Sequence, residues 1–320
     1  MATYLITGVA GFIGSNIARE LLKRGERVRG FDNFSTGKRG NLEDLKGLDF
    51  QEADLLDEAK LREMCDGVDY VLHQAAVASV PRSVEKPRPS HESNINGTFN
   101  LLLAARDAKV KRVVYAGSSS AYGETPTLPK HEEMSPLSPS PISPYAVQKL
   151  TGEHYLTSFY RVYGLETVTL RYFNVFGPFQ DPGSMYSGVL AKFCLAMLNG
   201  QTPTIHGDGE QSRDFTYIDN NVHANILAAT APAAKVAGQI FNIATGHRIT
   251  LNETVKILRK LTGYQGEVKY GPDRAGDIKH SYADISKAKA AMGYEPLVQF
   301  EEGLKRTVEW YRTIPAAAKA

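Results

Sequence analysis

"TGVAGFIGS", Thr7 to Ser15, sets glycines at Gly8, Gly11 and Gly14 between an apolar run, "YLIT", and an amphipathic stretch. Glycines in such a turn permit a tight bend, let backbone approach a pyrophosphate and bring helix close to strand, while free N–H groups and the dipole of the following helix favour an anion. The spacing is GxxGxxG, one residue longer than GxGxxG, and an ordinary tight strand-to-helix loop has a similar composition. The surroundings decide. Ile13, Ile17, Leu21 and Leu22 form one stripe, Arg19, Glu20, Lys23 and Arg24 lie opposite, and Gly25 ends the helix. The next run, "RVRGFD", ends at Asp32, 18 residues past Gly14. A carboxylate there accepts hydrogen bonds from both hydroxyls of an adenosine ribose and repels a 2′-phosphate; a turn cap shared with Asn33 is its other role. Strand, glycines, helix and acid together imply NAD rather than NADP.

Further apolar runs, "DFQEAD", "DYVLHQAA", "KRVVYAGSS" and "TVTLRYF", alternate with amphipathic stretches, the mark of crossover units and a parallel sheet. The fold class is α/β, a doubly wound parallel (Rossmann) sheet. Ligands of such sheets bind beyond the carboxyl ends of the strands, so Asp54 and Leu55, and Gln74, Ala75 and Ala76 after His73, border the same crevice. The small side chains of Ala75 and Ala76 admit a flat ring and serve helix–sheet packing equally. Helix patterns cover roughly residues 91 to 108 and Tyr145 to about Tyr163, before Gly164. Beyond Phe176 the segments are short until "GQIFNIATG" returns as a strand, followed by helices near residues 250 to 262 and 301 to 312. The expected division is 1–173 and 219–246 for the dinucleotide domain, and 174–218 and 247–320 for a smaller mixed α/β lobe. Six prolines in the segment from Thr125 through Pro144 predict an ordered loop near a site.

A chain of 320 residues can bury a sizeable core. Its 37 Lys plus Arg against 35 Asp plus Glu leave no basic stripe for nucleic acid or a membrane surface. Cys65 and Cys194 stand in no CxxC pattern, and the eight histidines show no metal-ligand spacing, so neither a disulfide framework nor a metal is expected. The opening "MATYLITG" enters a strand pattern at once, without a charged n-region or an apolar h-region, and a cytoplasmic location is expected.

"SPYAVQKL", Ser143 to Leu150, reads as the first turn of a helix opened by Pro144. Tyr145 and Lys149 are four apart and share one face. An ammonium beside a phenol favours phenolate, which would make Tyr145 a base near neutral pH; the same pair also occurs on solvated helices.

Taken with "HQAA", "NINGTFNLLLAA", "YAGSSSAYG", "LRYFNVFGP" and "GDGEQSRDFTYIDN", these stretches fall in the order of the extended short-chain dehydrogenase/reductase family, which the chain resembles over nearly its full length. Within that family it is similar to nucleoside-diphosphate-sugar 4-epimerases, most of all the UDP-N-acetylglucosamine type. The resemblance implies Tyr145 as base, Lys149 on the nicotinamide ribose, and Ser118 as the hydroxyl bonding the substrate, with Ser119 and Ser120 as neighbouring choices. It extends the cofactor contacts to Gly8, Gly11, Phe12, Ile13, Gly14, Asn33, Asn94 and Tyr172. Asn174, Arg213 and Arg274 would hold the diphosphate, Asp277 the uridine ribose, and Ser281 would lie beside the C2 substituent of the hexose. Family dehydratases carry Asp and Glu where this chain has Ser119 and Ser120, and family decarboxylases carry a Glu there; without such acids, elimination lacks proton carriers. The implied activity is C4 inversion of a UDP-sugar. Other family activities (UDP-glucuronate 4-epimerase, reductase, decarboxylase) and a non-catalytic NAD-binding protein are the alternatives. The helices near 91 to 108 and 144 to 163 resemble the family's dimer-forming pair.

Overall fold

The computed structural model describes residues 1–123, 125–134, 143–181, 188–273 and 279–314. Seven strands, β1 (Thr3–Thr7), β2 (Arg27–Asp32), β3 (Asp49–Glu52), β4 (Tyr70–His73), β5 (Arg112–Ser118), β6 (Glu166–Tyr172) and β7 (Gln239–Ile243), form one sheet in the order β3-β2-β1-β4-β5-β6-β7. Every pairing in it is parallel. β1 is buried along its whole length, and β5 and β6 nearly so, as strands covered by helices on both faces must be. The order reverses between β1 and β4, so the strand ends diverge there and open a crevice.

Helix α1 (Phe12–Lys23) follows β1, with Ile17 and Leu21 fully buried. Leu22 and Ile13 pack at the edge of the core, and Ile13 also lines the crevice. The predicted helix at 91 to 108 is three pieces: a short turn at Pro87–His91, a wide π turn at Glu92–Asn96, and α2 (Gly97–Asp107). β3 and β4 stop short of the sequence limits, leaving Asp54, Leu55 and Gln74 to Ala76 in the turns beyond the strands.

Helix α3 (Pro144–Tyr163) starts with Ser143 accepting from the Ala146 N–H at 3.2 Å and with Pro144 in its first turn, and it stops at Gly164 in a left-handed conformation, φ 72°. Helix α4 (Ile218–Thr230) packs on α1 and on the sheet, and leads through a short helical turn at Ala233–Val236 to β7.

The remaining strands are two or three residues long: Val175–Phe176 with Thr216–Tyr217, Ser212–Arg213 between Ile249–Thr250 and His280–Ser281, and Thr204–His206 with Lys269–Gly271. They pack with helices Val189–Leu198, Leu251–Thr262 and Phe300–Thr313. The helix at Leu251 has a full capping box between Thr250 and Glu253. Cys65 and Cys194 are buried, and burial pushes both thiols up to about 12. Among the described residues no helix is long and apolar enough to cross a membrane.

Candidate active site

The glycine turn, the ends of β2 to β4 and the π turn line one cavity of about 210 Å³. Gly8, Gly11, Phe12, Ile13, Gly14, Asp32, Asn33, Asp54, Leu55, Gln74, Ala75 and Ala76, all picked out in the sequence, are among its walls. The glycines are there for space. Gly8 has φ +67°, and a Cβ on it would sit 2.7 Å from Ala75 Cα; a Cβ on Gly14 would collide with the Gly8 carbonyl. No side chain caps α1, whose N-cap is Gly11, so the N–H groups of its first turn remain for an anion.

Asp32 closes the far end. Its carboxylate accepts from Ala10 N at 3.0 Å and Phe34 N at 2.7 Å; burial pushes its pKa up, and the two N–H groups work against that. A carboxylate has about four acceptor positions, so two remain for a ligand's hydroxyls.

Behind the cavity runs a buried relay. The Ala75 N–H donates to Thr7 Oγ1 at 3.1 Å, Thr7 lies 2.7 Å from His73 Nδ1, His73 Nε2 lies 3.0 Å from Thr98 Oγ1, and Thr98 donates to Asn94 O at 2.8 Å. With Thr98 donating onward, the relay is satisfied when His73 is neutral with its proton on Nε2. Burial brings its pKa down to about 3, aided by Lys149. This pins the turn carrying Gln74 and Ala75.

Two expected contacts stand elsewhere. The Asn94 amide is engaged with Val77 N at 2.8 Å and Gln148 Oε1 at 2.8 Å, and its neighbour Ser93 lines the cavity. Tyr172 accepts from Asn225 Nδ2 at 2.8 Å, and its hydroxyl lies 3.2 Å from Gln74 Oε1, so it braces a wall rather than forming one. Phe31 and Ala53 also line the cavity beside Asp32 and Asp54, and strand-end adjacency could have identified them. Ser35, Thr36, Ala78 and Ser93 had no such signal.

Tyr145, Lys149 and Ser118 meet on α3 and the end of β5. The Ser118 hydroxyl lies close enough to the Tyr145 phenol to favour its ionised form, and it accepts from Ser120 Oγ at 2.8 Å. Of the three serines, Ser118 is the one whose hydroxyl influences Tyr145. Lys149 Nζ donates to Ala116 O at 2.9 Å and stands 6.0 Å from the centre of the Tyr145 ring.

One expectation is corrected here. The i, i+4 spacing does put both residues on one face, but the ammonium is turned to the sheet, and the dominant influence on Tyr145 is burial. Burial pushes the phenol up to about 12, and the Ser118 hydroxyl pulls it back only in part. Lys149 is itself brought down to about 8 by burial, opposed by the charge of Glu153.

A second cavity, of about 340 Å³, opens beside the short strands. Asn174 and Arg213 line it, with Phe193, Ile205, His206 and Phe215. Asn174 follows β6 with φ 32°, a left-handed value that asparagine tolerates, and donates to Asp214 O at 3.2 Å. Asp214 is wholly buried and accepts from Thr245 N, Thr245 Oγ1 and Gly246 N at 2.6 to 2.9 Å, locking this strand to the end of β7.

Ser281 pairs in parallel with Arg213, which puts the two side chains on one face of that small sheet. Arg274 and Asp277 lie outside the described residues. Helix Val80–Glu85 joins the parts: Ala78, just before it, lines the first cavity, Pro81 the second, and Ser83 Oγ accepts from Tyr145 N at 3.1 Å. Ser118, Tyr145 and Lys149 line neither cavity; the Val80–Glu85 helix connects the start of α3 to both.

Comparison with known proteins identifies the family. The model of the NAD dependent epimerase/dehydratase family matches residues 4–244. A UDP-glucuronate 4-epimerase of Thermodesulfobacterium geofontis is 38% identical over 323 residues, 97% of this chain and 96% of that protein. Among solved structures, the UDP-N-acetylglucosamine 4-epimerase of Methanobrevibacter ruminantium, in complex with UDP-N-acetylmuramic acid, is 42% identical with a TM-score of 0.92, covering 98% of both chains. The UDP-glucose 4-epimerase of Thermus thermophilus, in complex with NAD, is 39% identical with a TM-score of 0.87, covering 97% of this chain and 99% of that one.

Proposed function

The chain belongs to the NAD-dependent epimerase/dehydratase family, and from that premise we propose that it inverts C4 of a UDP-N-acetylhexosamine, and of plain UDP-hexoses as well, through a 4-keto intermediate. The observation that carries this reading is the meeting of Ser118, Tyr145 and Lys149 where α3 packs on the end of β5, in a segment where Ser119 and Ser120 stand in place of acids.

NAD fits the first cavity. Gly8, Gly11 and Gly14 and the uncapped N-terminus of α1 would take its pyrophosphate, and Asp32 its adenosine ribose. The chemistry it supplies when bound is reversible two-electron oxidation at carbon. Tyr145 takes the proton of the C4 hydroxyl and later returns it, with Ser118 holding that oxygen in line. Lys149 remains an ammonium against Ala116 O, where its charge favours the phenolate. Asn174 and Arg213 grip the diphosphate, a guanidinium suiting bidentate contact. With the nucleotide held at its diphosphate, the 4-keto ring is free to present its other face, and return of the Tyr145 proton to the C4 oxygen completes the inversion.

The test is incubation with UDP-glucose, UDP-N-acetylglucosamine and UDP-glucuronate without added reductant, resolving the C4 epimers. Interconversion to an equilibrium mixture is expected. A product that forms only with added reductant, or that loses carbon dioxide or water, replaces this reading with a reductase, decarboxylase or dehydratase.

For Asp32, the expected outcome of Asp32→Ala is about ten- to a hundredfold weaker NAD binding and a smaller preference over NADP, because an anionic acceptor and a repulsive charge are both lost. Dissociation constants for both dinucleotides measure it; a wild-type protein that prefers NADP contradicts the assignment.

A homodimer belongs to the same proposal. Val147 and Val162 on α3 are 48% and 67% exposed, and Val147 lies with Pro87 and Ile95 along an open groove. Light scattering should give twice the chain mass for the wild type and the chain mass for Val147→Glu; a monomeric wild type rejects the dimer.

A further inference from the structure

Tyr145, Lys149 and Glu153 form one row on α3 at i, i+4 and i+8, facing the sheet. Glu153 is 1% exposed, and Arg171 of β6, 2% exposed, grips it with two prongs: Nε to Oε1 at 2.9 Å and Nη2 to Oε2 at 2.6 Å. Gly117 of β5 makes room, since a Cβ there would come within 3.1 Å of Glu153 Oε1. Arg171 also lies over the Tyr122 ring at 4.6 Å, while its Nη1 is buried without a partner.

A buried ion pair is no more stabilising than a well-packed apolar pair of like volume, so its presence next to the reactive row calls for an electrostatic account. Lys149, 3% exposed, has a carbonyl as its hydrogen-bond partner and stands 4.8 Å from the centre of the Tyr115 ring. A carbonyl and an aromatic face attract an ammonium without supplying a full counter-charge.

The charged and titratable groups facing Lys149 are His73 of β4, Tyr115 of β5, Arg171 of β6, and Tyr145 and Glu153 of its own helix. Arg82, Arg88, His91 and Glu92, on the turns against the other side of α3, are at or near the surface. His73 is neutral and the tyrosines are protonated near pH 7. Glu153 is the anion of this set, one helical turn away, with Arg171 behind it.

We propose that Glu153, oriented by Arg171, is the positioning residue that keeps Lys149 an ammonium held against the Ala116 carbonyl. This rests on the reading of Lys149 as the active-site cation. The nearer negative charge outweighs the farther positive one at Lys149. Removing it makes the ammonium easier to deprotonate and, with Arg171 left in place, makes the Tyr145 phenolate easier to form. Both limbs of the pH profile should therefore move the same way.

The test titrates the purified holoenzyme, labelled with 13C at the lysine ε carbon and with Lys149 assigned from Lys149→Arg, alongside the pH dependence of kcat/KM. In Glu153→Gln, which keeps shape and an acceptor oxygen, the Lys149 midpoint is expected to fall by roughly one pH unit, with both limbs of the profile following. In Glu153→Gln with Arg171→Gln the fall should be smaller and in the same direction. The double variant removes both members of the Glu153–Arg171 pair and so strands neither of them, which lets it decide the matter where the single one does not fold. A Lys149 midpoint unchanged in the folded variants overturns the proposal, even if turnover drops. Because the titration needs no substrate, a protein that epimerises no UDP-sugar but shows the shift loses the proposed function and retains this inference.

Discussion

Tyr145→Phe is expected to lower kcat for C4 inversion by at least about a hundredfold, the lower range for removing a general acid–base group. The variant loses one oxygen, the phenolic one on which Ser118 acts. What holds the residue in place survives: its backbone N–H still reaches Ser83 Oγ, and Ser143 still caps the helix. Thermal unfolding should therefore change little, which separates chemistry from folding. Burial pushes the phenol up to about 12, so at neutral pH most molecules carry the proton. The wild-type rate should climb with pH until the ammonium of Lys149 is lost, whereas the residual rate of the phenylalanine variant should lack that climb. Near-normal turnover in Tyr145→Phe removes Tyr145 as the base.

Ser281→Tyr is expected to cut kcat/KM for UDP-N-acetylglucosamine relative to UDP-glucose by roughly ten- to a hundredfold. Ser281 pairs with Arg213, which lines the second cavity, so a side chain at 281 projects on the same side as the proposed diphosphate contact. Serine is small there and leaves room for an acetamido group at C2. A phenol in that space overpacks it, a cost of about 1 to 3 kcal/mol borne mainly by the acetylated sugar. Measuring kcat/KM for acetylated and plain substrates in both proteins decides it. An unchanged ratio takes Ser281 out of the pocket, and a wild-type protein inactive on both UDP-N-acetylglucosamine and UDP-N-acetylgalactosamine defeats that choice of substrate.

The strands, the glycine turn and the residues at the strand ends could be read from sequence because local rules govern them. Buried parallel strands need unbroken apolar runs, as in "KRVVYAGSS". Gly8 and Gly14 answer to a φ value and a steric collision that no other side chain tolerates. Twelve of the residues named for the cofactor therefore line one cavity. The break of the 91 to 108 helix into a π turn was not legible, since no local pattern in Glu92–Asn96 marks it and only the contacts with Val77 and Gln148 turn Asn94 inward.

The chemical state of the site was decided by tertiary structure alone. Spacing put Tyr145 and Lys149 on one face and suggested a lowered phenol, but spacing carries no information about solvent. Desolvation depends on the atoms that β4, β5 and β6 bring around α3, and here it outweighs the neighbouring charge at Tyr145 and lowers Lys149 as well. The relay from Thr7 through His73 to Thr98 joins residues 66 and 25 positions apart, and Glu153 meets Arg171 across 18. Partners so placed share no periodicity. Only the folded sheet, by fixing which strands are neighbours, sets which charges and hydroxyls the site contains.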